Sequence, residues 1–234
     1  MINLMKLEWK KNKVDGYIFY AIICMICIFV AMAFMSLSSN NMGDPMFEDY
    51  LSFMSLTNIL IKITFFIFSG TMIASIVIDE FKYNTISIAF SYPISKKKII
   101  KAKLLIIMIF CFCNIMITTF IINVLIFYLN PILHFFETPV KLSEILNTIP
   151  SVISLSIMCA GFSLIPMYFG MRRKSTSTTI TSSVIIGFLL NSMVSNGNSS
   201  VSLGQITAVP LILCIVGMLI GYLSYWNIDN KDLG

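Results

Sequence analysis

Six long apolar runs dominate this chain, and short stretches holding nearly all of its charge separate them. A run of about 20 apolar residues spans a hydrocarbon core as a helix, because lipid leaves backbone N–H and C=O groups no partner but each other. The runs predict spans at about 17–37, 57–78, 104–129, 150–170, 178–194 and 206–226. Of 234 residues, 57% are hydrophobic and 12% charged, about half the charge of a soluble domain. The expected fold class is all-α, a polytopic membrane protein with six transmembrane helices in one domain over residues 1–234.

Basic residues fix the expected orientation. With the N-terminus inside, the inner segments carry four (Lys6, Lys10, Lys11, Lys13), six (Lys82, Lys96, Lys97, Lys98, Lys101, Lys103), three (Arg172, Arg173, Lys174) and one (Lys231), so 14 of the 16. Only Lys141 falls in an outer loop, and Lys62 falls inside a span. The positive-inside rule then sets both termini in the cytoplasm. Lys10, Lys11 and Lys13 ahead of an apolar run, with Ala31-Met32-Ala33 after it, imitate a signal peptide. The run outlasts a signal core of about 7–15 residues, so it reads as a retained span.

Residues 1–15 read as a basic amphipathic helix in the membrane interface. Ile2, Met5 and Trp9 share one face, and Lys6, Lys10 and Lys13 the other. Asp44 and Pro45 predict the start of a short surface helix before span two, with Met46, Phe47, Tyr50, Leu51 and Met54 on one face and Glu48, Asp49, Ser52 and Ser55 on the other. Lys62, one or two turns into span two, can snorkel to the headgroups. Asn114 and Thr118 stripe span three, with Thr119 and Asn123 beside them, so this side faces protein or a wet cavity. With Ser182, these polar residues are candidates for a substrate pathway: Asn114, Thr118, Asn123 and Ser182. Asn130-Pro131 begins the second outer loop, and His134 beside Phe135 reads as interfacial. Pro150 opens span four and Pro166 kinks it. The first third of span five, nearly all Ser and Thr, fits a place inside the bundle. Ser195 to Ser200 reads as a flexible loop. Gly217-x-x-x-Gly221 permits close helix approach, within one chain or between two. All six cysteines fall in apolar runs, and the Cys24–Cys27 pair reads as buried packing without a second ligand pair.

The stretch Asp79–Lys103 must sit in water between spans two and three. Tyr83, Ile86, Ala89 and Phe90 share a face of a short helix, which Pro93 stops. Ser95 caps the next helix, which carries the lysines into span three. Glu80, Thr85, Pro93, Ile94 and Ser95, followed by Lys96, resemble the cytoplasmic loop of ABC-2-type permeases. The layout of spans resembles the small six-span half-permeases of bacitracin-resistance, lantibiotic-immunity and peptide-toxin exporters. That family usually has Gly before the Thr and Arg after the Pro-Ile-Ser, where this chain has Asn84 and Lys96.

The resemblance implies that 1–15 is a cytoplasmic elbow helix and 79–103 a coupling loop that docks on a separate ATPase. The residues it implicates in coupling are Glu80, Tyr83, Thr85, Ile86, Phe90, Pro93, Ser95 and Lys96. It further implies an ABC ATPase subunit dimer as partner, binding ATP and Mg; a second permease subunit, the same chain or a homologue; membrane lipid; and an antimicrobial or amphipathic peptide as cargo in a bacterial cell membrane. The residues independently exclude much else. No GxxxxGK[ST] motif is present, so the chain does not cradle ATP itself. No carboxylate lies mid-span to relay protons. One histidine with scattered carboxylates builds neither a metal site nor a hydrolytic triad, so the chain reads as neither enzyme nor nucleic-acid binder. The alternative is a non-transporting scaffold or sensor whose basic loop binds lipid or a regulator.

Overall fold

The computed structural model describes residues 2–42, 47, 49–83, 96–133, 135, 142–191, 193–195, 200–202 and 208–226. Among them the chain is helical except for a two-stranded ribbon. The helices are α1 (Ile2–Lys11), α2 (Val14–Met42), α3 (Tyr50–Lys82), α4 (Lys96–Leu133), α5 (Leu142–Phe162), α6 (Ile165–Arg173), α7 (Thr176–Asn191) and α8 (Ala208–Trp226). Four segments are long and apolar enough to cross a membrane: Val14–Ser39, Tyr50–Lys82, Lys98–Leu133 and Ile145–Arg173, the last combining α5 and α6. At 16 and 19 residues, α7 and α8 stand outside that set.

The amphipathic N-terminus is one helix in the sequence reading and two in the structure. Helix α1 stops at Lys11, Lys13 takes a left-handed conformation (φ 48°), and α2 starts at Val14. The Trp9 indole N–H donates to Asp15 across this corner at 2.8 Å. Ile2 and Leu7 point outward, whereas Met5 and Trp9 pack on the core. Helix α2 is apolar all round but meets the bundle along one stripe that includes Val14, Ala21, Ile28, Met32 and Ser36, leaving Phe19, Ile26, Val30 and Phe34 on the outside. A helix of that composition is stable so exposed only in lipid. Cys27 is among its exposed residues and Cys24 is half-buried, which corrects the expectation that the pair is buried.

Helix α3 is the axis of the bundle. Phe53, Ile61, Phe65, Phe66, Met72 and Ile73 are buried against its neighbours α2, α4 and α7. It is one continuous helix from Tyr50, capped by Asp49, so Tyr50, Leu51 and Met54, expected on a separate surface helix, belong to span two. Asp44 and Pro45 lie outside the described residues. Near its far end the ladder widens into a π turn at Ala74–Ile78, where the Asp79 N–H reaches back to the Ala74 carbonyl.

Helix α4 has 38 residues, about 57 Å at 1.5 Å each. It is longer at both ends than the expected span and runs through Asn130-Pro131, which therefore does not open a loop. Pro150 likewise lies inside α5 rather than at its start. The expected kink at Pro166 is a full break: Ser163 and Leu164 form a turn, and Pro166 takes the second position of α6, where its missing N–H costs nothing. Lys174, also left-handed (φ 47°), ends α6 in the basic turn.

The hydroxyl-rich helix turns one face into the bundle, whereas Ser177, Thr181, Ile185, Phe188 and Leu189 are exposed. Thr179 and Ser183 of α7 are buried. The hydroxyls of Thr179, Thr181, Ser182 and Ser183 donate to carbonyls one turn back in their own helix. Gly70 of α3 faces Ser183, and Gly170 of α6 faces Thr179, so small residues let these helices touch. Span five ends early, at Asn191. Met193–Ser195 then pairs antiparallel with Ser200–Ser202, in the register Met193 with Ser202, Val194 with Val201 and Ser195 with Ser200. The stretch expected to be a flexible loop is thus framed by a ladder, with 196–199 outside the described residues. Helix α8 packs on α5, where Gly217 meets the backbone of Gly161 and Phe162 and Gly161 meets Cys214. The Gly217-x-x-x-Gly221 motif therefore serves a contact within the chain.

Candidate functional site

At the Lys103 end of the bundle three helices converge on four charged side chains. Glu8 and Lys11 come from α1, Glu80 from the last turns of α3, and Lys103 from α4. Lys103 is the hub. Its ammonium lies 2.5 Å from Glu80 Oε1 and 3.5 Å from Glu8 Oε2, and donates to the Ile76 carbonyl at 2.9 Å. Its side chain is 2% exposed. Lys11 reaches Glu80 Oε1 at 2.9 Å from the surface, 51% exposed. Asn12 donates to the Glu8 carboxylate at 3.1 Å and to its main-chain carbonyl at 2.9 Å.

The local backbone explains the arrangement. A π turn leaves carbonyls out of the regular i to i+4 ladder, and such turns cluster at functional sites. The Ile76 carbonyl inside this turn is taken by Lys103. A lysine so deeply buried is tolerable only when its charge is paired and its protons are used, and here two carboxylates and a carbonyl surround it. The sequence reading put the whole Asp79–Lys103 stretch in water. The structure corrects this at both ends: Asp79–Lys82 prolongs α3, and Lys103 is sealed in the core.

Of the residues expected to form the coupling segment, Glu80 is in this cluster, turned toward Lys103. Tyr83 is exposed, with the Lys82 ammonium 5.2 Å from its ring centroid. Thr85, Ile86, Phe90, Pro93 and Ser95 lie outside the described residues, and Lys96 opens α4. The ion pair Glu80–Lys103 therefore ties together the two helices that flank the segment 84–95. Glu8 and the role of Lys103 were missed. The signal for Glu8 was a lone acid in a helix otherwise basic on its polar side.

The candidate pathway residues each have their own contacts among the described residues. The Tyr50 hydroxyl donates to Asn123 Oδ1 at 2.6 Å, joining α3 to α4. Asn114 donates to its own helix at Phe110, and Ser182 to Thr179. Thr118 is buried. A separate narrow cleft between α3, α4 and α5 has Asn58, Lys62, Thr119 and Cys159 in its lining. Among the described residues no group of three His, Cys, Asp or Glu side chains could hold a metal ion.

Residues 50–227 match the profile of a family described as "ABC-2 family transporter protein". The chain belongs to the ABC-2 transporter family. A relative of this ABC-2 protein, YcbO of Bacillus subtilis (strain 168), is 32% identical over 231 residues, which is 99% of this chain and 100% of that one. No solved structure matches. The family match takes in the ABC-2 chain from α3 onward, so it includes Glu80 and Lys103, whereas Glu8 and Lys11 lie before it.

Proposed function

We propose that this chain is the permease subunit of an ATP-driven ABC-2 exporter. In this reading it crosses a bacterial cell membrane six times with both termini in the cytoplasm. It pairs with a second permease subunit, the same chain or a homologue, and rests on a dimer of ABC ATPase subunits that bind ATP and Mg. The cargo is an antimicrobial or amphipathic peptide, moved out of the membrane or the cell. Family membership supports the transport class, and the distribution of basic residues supports the orientation.

The observation that carries the mechanism is the Glu80–Lys103 tie at 2.5 Å. It fastens the end of α3 to the start of α4 on either side of the proposed coupling segment. A push received by Tyr83, Thr85, Ile86, Phe90, Pro93, Ser95 and Lys96 then moves two long helices together rather than bending a loop. Switching between two packings of the bundle is a familiar outcome of such a rigid-body push. Asn114, Thr118, Asn123 and Ser182 remain the proposed polar contacts along the pathway.

The test is affinity purification of the tagged chain in detergent, followed by ATP turnover with and without added peptide. The reading expects an ATPase to co-purify. It expects Phe90→Asp and Pro93→Ala to lower peptide-stimulated turnover while membrane insertion stays intact. An ATPase that co-purifies and turns over equally well with both variants would refute the coupling role.

A further inference from the structure

Two lysines are set within the helices' apolar packing, and they are treated oppositely. Lys103 is enclosed by two carboxylates and a carbonyl. Lys62 makes no hydrogen bond or ion pair among the described residues, yet it lines the cleft between α3, α4 and α5. We propose that Lys62 anchors the anionic head group, a carboxylate or phosphate, of a membrane-borne amphiphile.

The geometry narrows the occupant. Lys62 lies 12 residues from the start of α3, about 18 Å along the axis. The acids nearest to it along that helix are Asp49 and Asp79, about 20 and 26 Å away on the same scale. An intramembrane cation needs a counter-charge or a wet path, and this helix supplies no counter-charge within reach. Thr119, across the cleft on α4, has already given its proton to the Ile115 carbonyl at 2.8 Å, so the donors left to an anion in this lining are the Lys62 ammonium and the Asn58 amide. The cleft holds about one water-sized group, enough for an anionic oxygen and too little for a ring or a side chain.

The approach is polar along α3. Ser52 and Ser55 are exposed, and Asn58 follows them toward Lys62. Spacings of three and four put them in one row along the helix. In the same row Leu51 is 60% exposed and offers an apolar contact for a tail. A head that is charged, with a tail that is not, matches this combination.

The proposal deepens the exporter reading only in calling the bound molecule cargo. On that reading a peptide would engage Lys62 through its terminal carboxylate rather than its basic residues. The binding itself needs no ATPase.

The experiment uses the full chain reconstituted in phosphatidylcholine vesicles, with spin-labelled stearic acid as probe. The expected result is saturable binding of the acid, no competition from its methyl ester, and about ten- to hundredfold weaker binding by Lys62→Met. Lys62→Arg should keep the binding, and Lys82→Met, at an exposed lysine, should leave it unchanged. In the native protein, the acid should protect the Lys62 amine from acetylation as read by mass spectrometry, a measurement that requires no variant to fold. Equal binding of acid and ester, full binding by Lys62→Met, or no protection in the native chain would overturn the proposal. Displacement by inorganic phosphate at equal concentration would overturn the amphiphile as the source of the anion. Failure of an ATPase to co-purify would leave these results untouched, and their failure would leave the exporter reading standing.

Discussion

Replacing Lys103 with Met should be among the most damaging single changes in this chain, although it exchanges a long side chain for an apolar one of similar reach. The side chain is 2% exposed, with Glu80 at 2.5 Å, Glu8 at 3.5 Å and the Ile76 carbonyl at 2.9 Å. The substitution takes the buried cation from two carboxylates that are only 9% and 12% exposed and removes the ammonium from the Ile76 carbonyl in the π turn. Breaking a buried pair by removing one partner costs about 3–5 kcal/mol. The lost bond to the carbonyl contributes within that figure rather than on top of it, since both losses share one site. Lys11→Met tests the same carboxylate from the other side. Lys11 is half-exposed and screened by solvent, so its removal should cost about 0–1 kcal/mol. Adding Glu80→Gln to Lys103→Met should recover part of the loss, because the nearest carboxylate, which has then lost its buried partner, no longer carries a charge. Equilibrium unfolding in mixed detergent micelles, followed by circular dichroism, measures all four proteins. A Lys103→Met protein within about 1 kcal/mol of native, or no less stable than Lys11→Met, would refute the argument that this lysine is the hub.

Two further outcomes follow from the packing. Gly217→Ala should destabilise by about 1–3 kcal/mol, because the added carbon meets the Gly161 carbonyl and the Phe162 Cα, which are backbone and cannot yield. Gly221→Ala meets only the ends of Leu164 and Leu104, at 3.0 and 3.6 Å, and should cost clearly less; equal losses in the same unfolding assay would count against the α5–α8 seam. Tyr50→Phe removes the hydroxyl that donates to Asn123 and should cost about 0.6–1.7 kcal/mol, the range for such bonds within membranes. No measurable change would mean that Asn123 finds another partner.

The sequence predicts well what composition alone decides. Apolar length located the four segments long enough to cross a membrane, Pro166 marked its break, and the hydroxyls of Thr179 and Ser183 foretold a helix face turned into the bundle. It did less well where partners are remote along the chain. Lys103 looks like the last of a run of solvated lysines, and nothing near it in sequence reveals Glu8, which lies on a different helix and reaches it only when α1 folds back at Lys13. Proline also misled. Pro131 and Pro150 were expected to bound helices, yet both lie within them, Pro131 near the end of α4 and Pro150 more than two turns into α5, where freed backbone groups can find other partners. The cleft at Lys62 was illegible for a further reason: its walls come from three helices, and a lysine near a span end suggests snorkelling until its surroundings are known.

The π turn in α3 also sets the azimuth of everything beyond it. One additional residue in a helical turn rotates the downstream segment by about 100°. Glu80 begins only two residues past Ile78, so its bearing toward Lys103 depends on that added phase. Deleting a single residue from Ala74–Ile78 would let the ladder close up as ordinary α-helix and swing the carboxylate roughly a quarter-turn away from its ammonium. A span of otherwise regular helix thus carries its own angular offset, and the alignment of its charged tip is written in backbone spacing as well as in side-chain identity.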